Sequence, residues 1–364
     1  MLVRLQQFFN LVSHALRGQS SSVQPSASTP ASVDSDVLSR TSDDHISAGR
    51  LLTSDTEYSH VISLPQRDSV TWNSGSAFCI KPSDIHRQSS YPTASGGFGD
   101  VYRCIWNRGE SSDEVAVKSP RFPSLSDSEI AKINKNLDRE IRIWAKLKHQ
   151  YVLPLHGTVE QFGPFRALVS PWMPNGALDS YLHHAHETLL MIDRLRLLEQ
   201  ITEGLQYLHD HDVIHGNLTS DNVLVAADGS PRLADFGISN IMVQSNPTFS
   251  YHTGAVRWVA PELLDPPEDQ GMQCATRSTD IYALGGIMLQ VLYGQRPYWW
   301  LKSPIHVLSA KFKRTEPVNA SIEIQPNHLD LMRRCWSAKS EFRPSLEEVI
   351  NHLKEALLNE TSSV

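Results

Sequence analysis

The sequence predicts an α+β fold with two lobes: a small N-terminal antiparallel sheet lobe that carries one helix, and a larger, mainly helical C-terminal lobe. Two observations lead to this prediction. The first third of the ordered region contains short β-branched runs, "DVYRCIW", "EVAVK" and "FRALVS", around a single helical stretch. Further along, apolar residues instead recur every three or four positions, as in "LRLLEQITEGLQYLH" and "TDIYALGGIMLQVLYG".

The helix of the small lobe is predicted over residues 127–148. Ser126 and Glu129 have the spacing of a capping box, which marks a helix start. Its apolar residues follow at steps of three and four: Ile133, Leu137, Ile141 and Trp144. In the large lobe the same spacing places four residues on one helix face: Leu198, Ile201, Leu205 and Leu208.

The chain divides into segments of different composition. The first residues, "MLVRLQQFFNLVSHALRGQ", predict a short amphipathic helix; mitochondrial targeting and weak membrane-surface binding are the alternatives to simple docking. The Ser-rich stretch that follows has too few apolar residues to offset its ordering entropy, which predicts disorder. The expected segments are a helix at 1–17, a disordered tail at 18–76, an ordered domain at 77–358 (lobes 77–173 and 174–358) and a C-terminal tail at 359–364.

Composition excludes several classes of protein. A net charge of −7 over 364 residues argues against nucleic-acid binding. No apolar run is long enough to cross a bilayer, so we expect a cytoplasmic protein without a transmembrane segment. The cysteines are far apart in the sequence, which predicts reduced, partly buried thiols instead of disulfides or a zinc site: Cys79, Cys104, Cys274 and Cys335.

A glycine-rich stretch and a lysine could together hold phosphate. "TASGGFGDVYRC" contains Ser95, Gly96, Gly97 and Gly99, and glycines at such a turn let backbone N–H groups approach phosphate oxygens. A plain chain reversal is the alternative. Lys118 ends the strand pattern "VAVK", where a buried ammonium would need a carboxylate such as Glu140. An exposed lysine at a strand end is the alternative there.

Further motifs follow in a fixed order: "HGNLTSDN", "ADFG", "APE", "STDIYALG" and "RP". Together with the glycine stretch and "VAVK", this order resembles a eukaryotic protein kinase domain. "GGFGDVY" and "HGNL" are most similar to the serine/threonine, tyrosine-kinase-like group, including its many fungal members. The resemblance implies the bilobal kinase fold, ATP and Mg²⁺ as cofactors, and a protein substrate or signalling partner.

The resemblance also assigns roles. Ser95, Gly96, Gly97 and Gly99 would cover the ATP phosphates, Lys118 would bind them and pair with Glu140, and Asn222 and Asp235 would bind Mg²⁺. Adenine would lie between Val101, Ala116 and Leu224, beside Pro171 and Met173 of the hinge and the gatekeeper Ser170. Structural positions match too: a spine of Leu155, Trp144, Phe236 and His215, an ion pair of Glu262 with Arg343, and Asp280 bracing the catalytic loop.

Two departures from the family pattern concern catalysis. Asn217 stands where the proton-accepting aspartate belongs, and Thr219 stands where a lysine usually lies near the transferred phosphate. A carboxamide cannot take the proton and a threonine supplies no cation. Gly216 also replaces the arginine that would read phosphorylation of Ser239, Ser250, Tyr251 or Thr253.

Three functions stay open from sequence. The preferred one is a degenerate kinase domain that binds ATP and Mg²⁺ and acts through its conformation in intracellular signalling. The alternative is a working serine/threonine kinase with an unusual catalytic loop. A small-molecule phosphotransferase is disfavoured by "APE" and "STDIYALG", which are typical of kinases with protein substrates.

Overall fold

The computed structural model of the protein describes residues 79–96, 99–121, 127–163, 165–236, 255–264 and 274–362. The predicted helix at 1–17 and tail at 18–76 lie outside these residues. Within them the predicted α+β fold is confirmed, with a sheet first and a mainly helical part after it. No helix in these ranges combines the length and apolar character that a membrane span requires.

One curled sheet forms the small lobe. Its strands are β1 (Cys79–Ile80), β2 (Ile85–Arg87), β3 (Ala94–Gly96), β4 (Gly99–Arg108), β5 (Ser111–Pro120), β6 (Gly157–Val159) and β7 (Ala167–Pro171). They lie in the order β1-β6-β7-β5-β4-β2, and β3 pairs with β4. All pairs are antiparallel as predicted except β1 with β6, which is parallel. A parallel pair needs a long connection, and here most of the lobe lies between the two strands.

The strands of this lobe bury one face in a compact apolar cluster. Val115 and Val117 alternate with Ala116 and Lys118 along β5, so that the valines are buried and Lys118 lies on the other face. Register across the sheet then sets the neighbours of the candidate site. Val101 lies opposite Lys118, and Ala116 lies opposite Ser170.

The helix of the small lobe, α1 (Asp127–Trp144), is shorter than predicted. Its four predicted apolar residues are all buried, and three of them, Leu137, Ile141 and Trp144, join the core of the large lobe. Residues 145–148 leave the helix because the N–H groups of Lys146 and Leu147 bond to carbonyls three positions back, at Ile143 and Trp144. Such bonds tighten and end a last turn. Ser126, the predicted cap, lies outside the described residues.

The large lobe is built around a buried helix. Its elements are α2 (Leu178–Ala185), α3 (Met191–Asp210), the hairpin β8 (Val223–Val225) and β9 (Pro231–Leu233), α4 (Pro261–Leu264), α5 (Arg277–Tyr293), α6 (Pro304–Phe312), α7 (Pro326–Cys335) and α8 (Leu346–Ser362). Helix α5 begins at a Thr276–Thr279 capping box and is buried along nearly its whole length. The last helix continues to Ser362, so the predicted domain end at residue 358 falls inside it.

Two structural predictions for this lobe are confirmed. Arg343, whose side chain is fully buried, donates to both carboxylate oxygens of Glu262 at 2.6 and 2.8 Å. Asp280 on α5 accepts hydrogen bonds from the backbone N–H groups of His215 and Gly216, each at 2.8 Å. The loop that carries Asn217 is therefore tied to the central helix.

All four cysteines are free thiols, as predicted. Cys104 and Cys335 are buried, and desolvation raises the pKa of Cys104 to about 11 and that of Cys335 to about 12. Cys79 and Cys274 differ from the expectation of partial burial, because both are exposed.

Candidate functional site

A cleft of about 640 Å³ between the sheet and the helical lobe brings the candidate residues together. Those that line it are Ser95, Gly96, Gly99, Val101, Ala116, Lys118, Pro171, Met173, Asn217, Thr219, Asn222, Leu224 and Asp235. Gly97 lies outside the described residues. Glu140 lies on α1 and does not line the cleft.

The glycine stretch forms the hairpin between β3 and β4, where Gly96 lies opposite Gly99. Gly99 has a φ of 138°, and a Cβ built there would lie 2.0 Å from the carbonyl oxygen of Ser119. Only glycine can therefore occupy this position without moving β5. The Ser95 hydroxyl donates to Asp100 at 2.6 Å, and Arg121 bonds to both. The base of the hairpin is thus held by side chains as well as by strand pairing.

The lysine of the site pairs with a different carboxylate from the one expected. The Lys118 ammonium bonds to the carboxylate of Asp235, and both side chains are largely buried. Glu140 forms no ion pair with a residue in the described ranges, and burial raises the pKa of its carboxyl. The expected Lys118–Glu140 pair is therefore not formed, because Glu140 does not line the cleft; the ammonium bonds to Asp235, whose backbone is left-handed with φ of 61°.

The loop that follows His215 holds the next group of side chains. The Asn222 amide donates to the carbonyl of Asn217 at 2.8 Å, and the Asn222 carbonyl accepts from the N–H of Ala234 at 2.9 Å. The side-chain oxygen of Asn222 remains an acceptor, in the same cleft as Asp235. These are oxygen donors of the type that Mg²⁺ prefers.

The two positions that differ from the kinase pattern, 217 and 219, both carry uncharged side chains. The side-chain amide of Asn217 makes no hydrogen bond to a described residue, and Thr219 is buried. Ala255 and Trp258 also line this part of the cleft, and neither was recognised from the sequence. Both belong to the stretch "TGAVRW", which is separated from the "APE" motif by one residue in the sequence.

One carboxylate in the cleft was also missed. Asp221 lies inside the motif "HGNLTSDN", between Asn217 and Asn222, so the motif itself held the signal. Desolvation at the cleft and the nearby carboxylate of Asp179 raise the pKa of Asp221, and Arg296 partly offsets them. Arg296 is itself bonded to Asp179.

The hinge presents backbone groups to the cleft. Trp172 donates its N–H to the carbonyl of Glu114 at 3.2 Å, and the Met173 carbonyl accepts from the N–H of Gly176 at 3.0 Å. The N–H of Met173 has no partner among the described residues. Hence Met173 has an unsatisfied donor, as expected for base recognition, while its carbonyl already accepts one hydrogen bond.

The expected stack of apolar and aromatic side chains is formed behind the site. The ring of Phe236 packs edge-on against Trp144 with centroids 5.4 Å apart, and against His215 with centroids 6.2 Å apart. Leu155 packs against the same core. This stack links α1 of the small lobe to the loop of the large lobe.

Comparison with known proteins agrees with this architecture. Residues 90–353 match the family model described as protein tyrosine and serine/threonine kinase. Relatives include the serine/threonine-protein kinase STY46 and the serine/threonine/tyrosine-protein kinase HT1 of Arabidopsis thaliana, 28% and 27% identical, and the human ephrin type-A receptor 1, 27% identical. The alignments cover 74%, 72% and 72% of this chain, and 44%, 64% and 26% of those proteins, respectively.

The chain therefore spans less than two thirds of the length of each of these relatives. The family model, in contrast, matches well over half of the chain. The chain belongs to the protein tyrosine and serine/threonine kinase family and contains a eukaryotic protein kinase domain.

Proposed function

We propose that this domain binds ATP with Mg²⁺ and transfers phosphate weakly or not at all, acting in intracellular signalling through its conformation on a protein partner. One observation carries the proposal. The cleft keeps a cation and two oxygen donors at the nucleotide positions, Lys118, Asn222 and Asp235, while Asn217 and Thr219 leave its reacting end without a base and a cation.

The residues present fit a nucleotide. A cleft of about 640 Å³ is within the range of small-molecule sites. Lys118 supplies the cation for the phosphates, and the N–H of Met173 supplies a donor for the base. Asn222 and Asp235 would hold Mg²⁺, which supplies charge neutralisation on the phosphates. Lys118 and Asp235 bond to each other in this structure. Binding of a nucleotide with Mg²⁺ would break this ion pair and replace it with a contact from Lys118 to the phosphates and a contact from Asp235 to Mg²⁺.

The reacting end of the cleft lacks both a general base and a cation at the positions of Asn217 and Thr219. A general base typically contributes about 10²–10⁴-fold to a rate. Phosphoryl transfer depends mainly on positioning and electrostatic stabilisation, so the missing cation at Thr219 lowers the rate further. Starting from a kinase turnover of about 1–100 per second, the expected rate falls to below about one per second.

A second candidate function is an active serine/threonine kinase that uses Asp221 as its proton acceptor. The observation in its favour is that the Asp221 carboxyl lines the same cleft and has a raised pKa. A raised pKa makes a carboxylate a stronger base at neutral pH. Under this alternative Asp221→Asn abolishes phosphate transfer. If the domain transfers no phosphate, the substitution leaves the measured rate unchanged.

Two measurements test the proposal. The first is a thermal-shift titration with ATP, with and without Mg²⁺, in which stabilisation by ATP supports nucleotide binding. The second is transfer of labelled phosphate from ATP to a mixture of protein substrates, with Lys118→Met as the control. Robust transfer that disappears in Lys118→Met contradicts the proposed weak activity, and the absence of any nucleotide-induced shift contradicts binding.

A further inference from the structure

Helix α1 carries a row of basic side chains that the nucleotide site does not use. Lys135, Arg139, Arg142 and Lys146 follow each other at spacings of four, three and four residues. Residues three and four apart are neighbours on a helix surface, so these side chains form one stripe along α1 and the turn that follows it. All four are exposed.

Among the residues whose side chains the structure describes, no acidic residue forms an ion pair with a member of this stripe. Of the two carboxylates next to Arg139 in the sequence, Asp138 bonds to Arg166 at 3.1 Å and Glu140 is partly buried. Like charges at these spacings destabilise a helix. The whole chain carries a net charge of −7, so the stripe concentrates positive charge on a protein that is otherwise acidic.

The side chains of the stripe border an open space on the surface of α1. Its four basic residues, with Asp138 and Ile143, line an open groove of about 380 Å³. This groove is the space between long side chains on one helix face, and it offers four cations and one apolar side chain to a partner. A helix that inserts into a lipid surface would instead carry several apolar residues on this face, and Ile143 is the single apolar residue of the groove.

We propose that the groove on α1 binds an extended, acidic peptide segment of a partner protein. Neighbouring cations of the stripe are separated by about 4.5–6 Å along the helix axis, from the rise of a helix. Same-side residues of an extended chain are separated by about 6.6 Å. An extended segment of about five to six residues spans the stripe's length of roughly 16 Å, and about three of them, at alternate positions, would be acidic and face the stripe.

This site is separate from the proposed nucleotide site, and its existence does not depend on nucleotide binding or on phosphate transfer. Glu140 is the neighbour of Arg139 on the same helix. Successive residues of a helix point about 100° apart, so Glu140, which is partly buried, does not line the groove.

The test uses the full chain and a fluorescent peptide of alternating glutamate and glycine, followed by fluorescence anisotropy at low and physiological salt. The test variant is Arg139→Glu with Arg142→Glu. The control variant is Lys302→Glu with Lys313→Glu, which makes the same change in net charge at exposed lysines of the large lobe. We expect at least a tenfold loss of affinity in the test variant and less than a twofold loss in the control.

Three results would overturn the proposal: no binding to the wild type at low salt, equal losses in both variants, or equal binding of a matched peptide of alternating glutamine and glycine. Vesicles containing phosphatidylserine and a single-stranded oligothymidylate are measured in parallel. If either binds through the stripe and the acidic peptide does not, the surface recognises a membrane or a nucleic acid and the peptide proposal is wrong.

A second test variant, Lys135→Gln with Lys146→Gln, shows a loss of peptide affinity in the same direction if the groove is the site. Circular dichroism confirms that each variant is folded.

Discussion

Lys118 on β5 and Asp235 after β9 form an ion pair across the cleft, so a residue of the small lobe bonds directly to a residue of the large lobe. Both are positions that the family resemblance assigns to the nucleotide and its metal. Binding of a nucleotide with Mg²⁺ therefore competes with this ion pair. The gain in stability on nucleotide binding is therefore the free energy of the new contacts to the nucleotide and Mg²⁺ minus that of the ion pair.

Removing the Asp235 carboxylate should make ATP binding independent of Mg²⁺. In the wild type we expect ATP to raise the melting temperature more with Mg²⁺ than without it, because Asp235 is a metal ligand in the proposed site. In Asp235→Asn the two titrations should coincide. Asp330→Asn, at an exposed carboxylate on α7, is the control and should behave as the wild type. A Mg²⁺ effect that survives in Asp235→Asn would remove this residue from the metal site.

Restoring the charged side chains should restore chemistry. Asn217→Asp with Thr219→Lys returns a base and a cation to the reacting end, and we expect phosphate transfer to rise by at least about tenfold, since a base alone contributes about 10²–10⁴-fold. The assay is transfer of labelled phosphate. The same pair of changes in a Lys118→Met background should give no gain. A wild-type rate equal to that of the double variant would mean that these positions do not limit transfer.

The two described glycines of the hairpin should differ in their tolerance of alanine. At Gly99 a Cβ would clash with the Ser119 carbonyl and the φ of 138° is unfavourable, whereas at Gly96 a Cβ would meet nothing within 4 Å. We expect Gly99→Ala to cost at least about 1–3 kcal/mol of unfolding free energy from backbone strain, and Gly96→Ala to cost far less. Urea unfolding measures both. Equal losses would show that the hairpin relaxes freely.

The buried ion pair should matter more than an exposed one. Arg343→Ala leaves the Glu262 carboxylate without its partner and should lower the free energy of unfolding by about 3–5 kcal/mol. Arg333→Ala breaks the pair with Glu316, in which both side chains are at least half exposed, and should cost less than about 1 kcal/mol. Chemical denaturation of the two variants side by side tests this ranking, and a reversed order would contradict it.

Acid should destabilise the domain through His215. Burial lowers the pKa of this histidine from its ordinary value of 6.5, and neither ring nitrogen has a partner among the described residues. Below pH 6.5 the unfolded chain binds a proton at His215 that the folded chain does not. The contribution of His215 to the free energy of unfolding therefore falls as the pH falls below 6.5 and is constant above it.

His215→Phe should remove this contribution, which is up to about 1.4 kcal/mol per pH unit. The measurement is the free energy of unfolding of both proteins at pH 7.5 and pH 5.5. The difference between the proteins isolates His215 from the other histidines and carboxyls. An unchanged pH dependence in the variant would show that His215 is protonated in the folded state.

Much of the architecture could be predicted because it follows from periodicity and motif order. The valines of "EVAVK" are buried where the pattern indicates. So are the four apolar residues predicted for the buried face of α1: Ile133, Leu137, Ile141 and Trp144. Three features were not predictable in this way. The parallel pairing of β1 with β6 depends on distant segments, the end of α1 depends on local hydrogen bonds, and the partner of Lys118 depends on where α1 and Asp235 come to lie.

The candidate site was predictable residue by residue where a motif named its members, and the cleft brings the described ones together with the exception of Glu140. Asp221, Ala255 and Trp258 line the same cleft, but spacing alone does not indicate which residues of a motif face inward. Their place depends on how the loops after α3 and before α4 fold against each other.

The three hydrogen bonds that Asp280 accepts come from backbone groups of His215 and Gly216 and from the ring of His209. None of them involves the side chain of Asn217 or Thr219. These bonds hold the course of the loop without the side chains at positions 217 and 219. Substitutions at these two positions can therefore change the chemistry of the cleft while the bonds that fix the loop to α5 stay in place.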